Sequence, residues 1–408
     1  MIIQLLKSKI KEHSKITITG SKSESNRLLL LQALYPELEI TNISNSDDSL
    51  VMQEVLASNK STVDVHHAGT AMRFLTAYFA SKNGRELVLT GSARMKERPI
   101  AVLVDALQQL GADISYTETH GCPPLKIKGK TLLKDKVTLK ANVSSQYISA
   151  LLLVASRLEN GLELTLEGDI TSIPYINMTL DLLNQIGVET SFENQKIVVS
   201  PKTDALKTQH LTVESDWSSA SYFYSIIALS PKNTQIELTS YKEESLQGDA
   251  VLAKLYTSFG VETRFENGVL ILKKIGTVSS DSIVFDLNNS PDIAQTIAVT
   301  CLGLGVGCHL TGLHTLKIKE TDRLVALQNE LSKLGGVVDI TEDSLTLHNT
   351  SSLNENISIA TYNDHRMAMA FAPLALQVPI TIEDYKVVSK SYPTFWEDLQ
   401  VLGFNFLK

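Results

Sequence analysis

The stretch Asp105–Ile114, DALQQLGADI, decides how the chain is read: an amphipathic run ends at Leu110-Gly111 and gives way to a strand-like continuation. Glycine suits that place because a helix C-terminus often closes on a left-handed residue, which glycine adopts without a Cβ clash. The signature returns in DLLNQIGVET (181–190), LYTSFGVET (255–263), LSKLGGVVDI (331–340) and LQVLGFNF (399–406). Gly111, Gly187, Gly260, Gly335 and Gly403 therefore stand 76, 73, 75 and 68 residues apart. A degraded sixth copy is read in MQEVLASNKSTVDV (52–65), with Asn59 in the glycine's place. Six units of roughly 70 residues nearly fill the chain, each read as strand, helix, strand, helix and paired strands. The expected fold is α/β, with helices buried against sheets and three units in each of two domains.

The 408 residues are too many for one ordinary core. A formal charge of −8 argues against a general nucleic-acid or anionic-membrane binder, so an anionic substrate needs cations concentrated locally. Apolar runs such as LLLLQALY (28–35) and SALLLVAS (149–156) stop well short of the roughly 18 residues that span a bilayer. The opening MIIQLLKSKIKEH lacks a small-residue cleavage site, and a cytoplasmic protein is expected. Cys122, Cys301 and Cys308 are odd in number and show no CxxC spacing, so buried or inert thiols are expected rather than a disulfide framework or thiolate metal site.

Five segments carry candidate chemistry. Gly20–Arg27, GSKSESNR, heads the apolar run 28–35 with hydroxyls and Lys22. Free N–H groups, the positive end of the helix dipole and an ammonium suit a phosphate there, although a plain Ser N-cap explains the same residues equally well. It is not a P-loop, because the second glycine is missing. His66–Arg73, HHAGTAMR, offers Gly69 for close backbone approach, and Arg98 in RMKERP (94–99) offers a planar fork for carboxylate or phosphate. The adjacent His66 and His67 point in different directions without a carboxylate at ligand spacing, so no metal is expected.

Asn142–Tyr147, NVSSQY, repeats the hydroxyl-rich helix start, as do Ser172 in TSIPYINMTL and the stretch SDWSSASYF (215–223). In Lys317–Leu324, KIKETDRL, a helix would put Lys319 and Arg323 on one face, with Glu320 three residues before Arg323. A solvated, salt-bridged helix explains that run as well. Tyr362–Met369, YNDHRMAM, sets charges against an apolar helix, with Lys390 following, and Asp292 enters the apolar run of NNSPDIAQTIAV as a single acid. Charges that turn inward are costly unless paired or liganded, which favours a functional site.

Taken in order, GSKSESNR, AGTAMR, RMKERP, VSSQ, KETDR and NDHRMAM, with Asp292 and Lys390, resemble the 5-enolpyruvylshikimate-3-phosphate synthases from about Lys22 to Lys390. The resemblance implies an inside-out α/β barrel of the enolpyruvyl-transferase type: two similar domains of three βαβαββ repeats. Residues 20–214 would form one domain and residues 1–19 with 215–408 the other, with the active site in the cleft between them. It implies transfer of the enolpyruvyl group of phosphoenolpyruvate to the 5-hydroxyl of shikimate 3-phosphate, without metal or cofactor, by a monomer.

By the same resemblance Lys22, Ser23, Arg27, Ser144, Ser145, Gln146, Ser172, Asp292, Thr315 and Lys319 would hold shikimate 3-phosphate. Lys22, Gly69, Arg98, Gln146, Arg323, Arg366 and Lys390 would hold phosphoenolpyruvate. Asp292 would take the proton of the 5-hydroxyl, Glu320 would protonate the methylene carbon, and Lys22 would touch both substrates. Three positions depart from the family pattern: His67 stands for the usual Asn, Phe74 for the usual Pro, and Thr315 for the usual Asn ahead of KETDR. Two rivals are a UDP-N-acetylglucosamine enolpyruvyl transferase, whose reactive cysteine Cys122 could imitate, and a non-catalytic α/β repeat ring. The −8 balance and the acids Asp292 and Glu320 speak against a ring that clamps DNA.

Overall fold

The computed structural model describes every residue except 141–143, 169, 171–172 and 279. The chain divides into two compact units, Gly20–Val213 and Met1–Thr19 with Glu214–Lys408.

One strand plan accounts for most of both units: a parallel pair whose second strand is followed by two antiparallel strands. In the discontinuous unit His13–Ile16 lies parallel to Gln235–Thr239, which pairs with Val269–Lys274 and then Val261–Glu266. Ser282–Asp286, Gly307–Thr311, Leu345–Leu347 and Val338–Ile340 repeat the plan. So do Ile357–Ile359 and Ile380–Glu383, except that the N-terminal strand Ile2–Leu5 provides the third strand and Phe406–Leu407 the fourth. In the continuous unit the plan recurs in Thr62–Asp64, Glu86–Thr90, Leu125–Lys128 and Asp113–Tyr116. It recurs again in Lys136–Lys140, Leu162–Glu167, Lys196–Val199 and Thr190–Glu193.

The sixth sheet has only Gln209–Thr212 parallel to Leu38–Thr41, and this corrects the reading of Asn59. Helix Asp47–Ala57 ends at Ser58 with a negative φ, Asn59 is not among the left-handed residues, and Thr62–Asp64 already belongs to the next sheet. The five repeat glycines do take positive φ, from 70° at Gly260 to 110° at Gly403.

Each unit is centred on three mutually packed helices. In the continuous unit these are Lys22–Leu34, Gly69–Ser81 and Ser145–Ala155; in the other they are Trp217–Ala228, Ala294–Leu304 and His365–Phe371. Their sequences explain their place. AQTIAVTCLGL offers no charged face, and every residue from Ala294 to Leu302 is buried, as a helix apolar on all sides must be. The strands around such triads alternate buried and exposed residues, as in Leu125–Lys128 and Lys136–Lys140.

Backbone conformation and space separate two of the repeat glycines. A Cβ on Gly260 would stand 2.3 Å from the carbonyl oxygen of Gly276, whereas one on Gly335 would meet nothing closer than 3.3 Å. Gly335→Ala is expected to cost about 1 kcal/mol of left-handed strain. Gly260→Ala, in the same unit, should add a steric term and lower the thermal midpoint clearly further, as measured by circular dichroism melting of both variants.

Candidate active site

In the continuous unit, all three central helices present candidate residues at their N-terminal ends. Ser21 caps the first, its Oγ accepting from Glu24 N at 3.5 Å, which leaves Lys22 and Ser23 in the first turn. Lys22 and the Ser23 hydroxyl have no hydrogen bond or ion pair with a described residue; the Ser23 carbonyl accepts from Arg27 Nη1 at 2.8 Å. Gly69 opens the second helix with no side-chain cap. The reason for glycine there is visible: a Cβ would lie 2.7 Å from Arg98 Nη1, so the Arg98 guanidinium lies against the first turn. Arg98 Nε is buried without a partner among the described residues. Ser144 caps the third helix by accepting from Gln146 N at 3.4 Å, and Gln146 Nε2 donates to Thr70 Oγ1 at 3.2 Å, joining the second and third helix starts. The Tyr147 hydroxyl donates to Pro99 O at 2.5 Å and ties the Arg98 loop to the same corner. Ser145 is buried beside it, while Ser172 lies outside the described residues, as do Asn142 and Val143.

Arg27 is only 2% exposed and its guanidinium donates four hydrogen bonds, all to neutral groups. Nε donates to Thr179 Oγ1 and Nη2 to Ser149 Oγ, both at 2.8 Å, and Nη2 also reaches Tyr175 O at 3.2 Å. The Phe74 ring centroid lies 5.4 Å from the guanidinium carbon, so the unusual Phe74 supports Arg27 by a cation–π contact. Burial pushes the Arg27 guanidinium down to about 10, partly offset by Tyr175 and Glu24. His66 faces Asp64 at 3.8 Å and His67 faces Asp47 at 3.5 Å, so the two imidazoles serve different acids.

In the discontinuous unit the candidates form one charged network. Arg323, 2% exposed, donates from Nε to Asp364 at 2.6 Å, from Nη1 to Asp292 at 2.7 Å and from Nη2 to Glu320 at 2.8 Å. Lys319 Nζ shares that Asp292 oxygen, Oδ1, at 3.3 Å, and Arg366 Nη2 meets Oδ2 at 3.4 Å. Arg366 Nη1 also donates to the Asp292 carbonyl at 3.2 Å and Nη2 to Ser218 Oγ at 3.2 Å. Burial alone would raise the Asp292 carboxyl, but Lys319, Arg366 and Arg323 outweigh it and hold the group well below the usual carboxylate range. Arg323 is shifted up despite burial, because Asp364, Glu320 and Asp292 surround it.

One element differs from the sequence reading. Lys319 and Arg323 do not share a helical face: Asp322 accepts from Leu324 N and Val325 N, starting the helix at Arg323, and Lys319 and Glu320 precede it. The two cations converge through Asp292 instead. Lys390 donates to Asn363 O at 2.6 Å, and the Thr315 hydroxyl is buried without a partner among the described residues.

Three members were missed from sequence. Asp364 both caps helix His365–Phe371, accepting from Arg366 N at 2.8 Å, and holds Arg323; its position in NDHR was the available signal. Ser218 lies in the hydroxyl-rich helix start already noted, but nothing local indicated Asp249, which accepts the Ser218 hydroxyl. The Ser218 oxygen thereby bridges Asp249 and Arg366.

Comparison with known proteins gives the family and the fold. A sequence profile of the family described as EPSP synthase (3-phosphoshikimate 1-carboxyvinyltransferase) matches residues 52–399. A 3-phosphoshikimate 1-carboxyvinyltransferase of Bacteroides fragilis is 46% identical over 395 residues, covering 96% of this chain and 95% of the relative. One from Aliivibrio fischeri is 37% identical over 422 residues, covering 96% and 97%. Among solved structures, EPSP synthase from Acinetobacter baumannii superposes with a TM-score of 0.80 at 20% identity over the whole of both chains. The enolpyruvyl transferase NikO from Streptomyces tendae gives 0.76 at 15% identity, over 100% and 98% of the chains. These two show a shared fold.

Burial pushes the Asp249 carboxyl up to about 6; Asp292 and Asp216 add to the rise, while Arg366 and Ser218 oppose it. The folded form therefore holds a proton that the unfolded chain, with an ordinary value of about 4, releases. Stability from this group falls as pH rises from about 4 to 6, by on the order of 2 kcal/mol. Asp249→Asn should flatten that part of the profile, as read from denaturant midpoints at pH 5 and pH 7.

Proposed function

Because this chain belongs to the EPSP synthase family, we propose that its two constellations act on the same pair of anions and that the side chains named above carry the transfer. The reaction moves the enolpyruvyl group of phosphoenolpyruvate onto the 5-hydroxyl of shikimate 3-phosphate and releases phosphate. In the continuous unit, Lys22, Ser23 and Arg27, with Ser144, Ser145, Gln146 and Ser172, are assigned to shikimate 3-phosphate. Gly69, Arg98 and Gln146 are assigned to phosphoenolpyruvate, as are Arg323, Arg366 and Lys390 in the other unit. Lys22 contacts both substrates, and Lys319 and Thr315 meet the shikimate side.

The observation that carries the assignment is that the proposed base and acid bind two nitrogens of one buried guanidinium: Asp292 on Arg323 Nη1 and Glu320 on Nη2. Proton removal and proton delivery are thus held in fixed relation. Asp292 accepts the 5-hydroxyl proton as that oxygen bonds to C2 of phosphoenolpyruvate, and Glu320 gives a proton to C3. The tetrahedral product then loses phosphate from C2 and a proton from C3, which restores the double bond. Oriented guanidinium and ammonium groups stabilise charge on the phosphate as it departs. All the groups named belong to one chain, and the working form is taken to be a cytoplasmic monomer that needs no metal or cofactor.

Phosphate release assayed with each acceptor in turn tests this reading. Release should require phosphoenolpyruvate together with shikimate 3-phosphate, and UDP-N-acetylglucosamine should not substitute. Glu320→Gln should lower kcat by at least about 100-fold, the scale of lost acid–base catalysis, with substrate KM values little changed. Equal turnover by that variant would remove Glu320 from the role.

A further inference from the structure

We propose that Glu330 is a positioning residue which, through Tyr362, fixes the turn that orients Lys390, Arg366 and Arg323. The inference rests on the reading above of those three as the phosphoenolpyruvate clamp.

Tyr362 and Asn363 are consecutive residues with φ of 54° and 59°. Asparagine enters this left-handed region readily, but tyrosine does so only when its surroundings enforce it. The enforcing group is Glu330, whose carboxylate is completely buried. Its Oε1 accepts the Tyr362 hydroxyl at 2.7 Å and its Oε2 accepts Ala360 N at 3.1 Å, so one side chain grips the segment just before and within the turn. Lys333 donates to both oxygens, at 2.9 and 2.8 Å, which neutralises the buried charge.

Helix Arg323–Lys333 carries the second grip. Arg323 and Glu330 are seven residues apart, two turns along one helical face. Arg323 holds Asp364 at the far end of the turn while Glu330 holds Ala360 and Tyr362 at the near end. The helix thus clamps residues 360–364 at two points.

What the clamp fixes is functional. The Asn363 carbonyl, presented by the left-handed turn, accepts Lys390 Nζ at 2.6 Å. Asp364 follows at once and caps the helix that carries Arg366. Release of the Tyr362 hydroxyl lets its backbone return to negative φ, which rotates the Asn363 peptide away from Lys390 and loosens Asp364. None of these anchoring groups touches a reacting atom, so the effect falls on how the clamp receives its anion.

Tyr362→Phe keeps the ring and removes the anchor; Glu330→Gln keeps the size and removes the charge. Steady-state kinetics should show KM for phosphoenolpyruvate raised five- to tenfold in Tyr362→Phe, with KM for shikimate 3-phosphate within twofold of wild type. Lys390→Ala should raise the phosphoenolpyruvate KM on its own, and adding Tyr362→Phe to it should cause less than a twofold further change, because both act through one contact. A lowered melting temperature with both KM values unchanged would make the anchor merely structural and overturn the inference, as would full additivity in the double variant. If Lys390→Ala leaves the phosphoenolpyruvate KM unmoved, the clamp assignment falls and this inference with it. If Lys390→Ala responds and Tyr362→Phe does not, only the inference falls. Should Glu330→Gln fail to fold, Tyr362→Phe alone decides.

Discussion

A guanidinium shut away from water persists as a cation only among anions or well-aimed dipoles, and Arg323 sets the terms for everything around it. Its three nitrogens draw Asp292, Glu320 and Asp364 from three separate stretches of chain. Those carboxylates would repel one another without it. Lys319 and Arg366 then complete a near-neutral cluster of three cations and three anions. Such a cluster fixes geometry more than it adds stability, since desolvation of so many charges offsets much of their attraction. Removal of one member leaves its partners buried and unpaired.

The other unit solves the same physical problem differently. Arg27 has hydroxyls, two carbonyls and an aromatic face around it rather than a ring of carboxylates, so its charge remains largely uncompensated. Lys22 and the open helix start at Gly69 add to that positive potential. One unit is thus organised to receive negative charge, and the other holds acids and bases in a balanced network. A protein of net charge −8 can in this way present a local site for polyanions.

How much of this was readable depended on the range of the cause. The five repeat glycines were legible because a left-handed helix end is a local demand with one economical residue to meet it, and all five have positive φ. Asn59 misled because a turn-forming residue in a roughly right place resembles that demand, while the missing hairpin that shortens the repeat leaves no local mark. The helix drawn through KIKETDR was wrong for a competing local reason: Asp322 is a better N-cap than interior residue, and the helix starts behind it. Asp249 and Thr70 were out of reach, since their roles arise from partners far along the chain, Ser218 and Gln146. Phe74, a departure with no local explanation, carries on its ring the guanidinium of Arg27, which is distant in sequence.

The depressed Asp292 raises a question that its surroundings also answer. A carboxylate held far below its ordinary range is a good hydrogen-bond acceptor but a poor base toward an alcohol. The depression comes from Lys319, Arg366 and Arg323, and on the proposed assignment all three carry charge that an incoming polyanion would share. As phosphate or carboxylate oxygens take up Arg366, the attraction that keeps Asp292 deprotonated weakens and its proton affinity climbs. On the proposed assignment the base strengthens when the electrophile is in place and rests as an ion-paired acceptor when it is absent. Coupling of that kind needs no moving lid. It follows if the same arginine serves first a carboxylate of the protein, as Arg366 does with Asp292, and then, as proposed, an anion of the substrate.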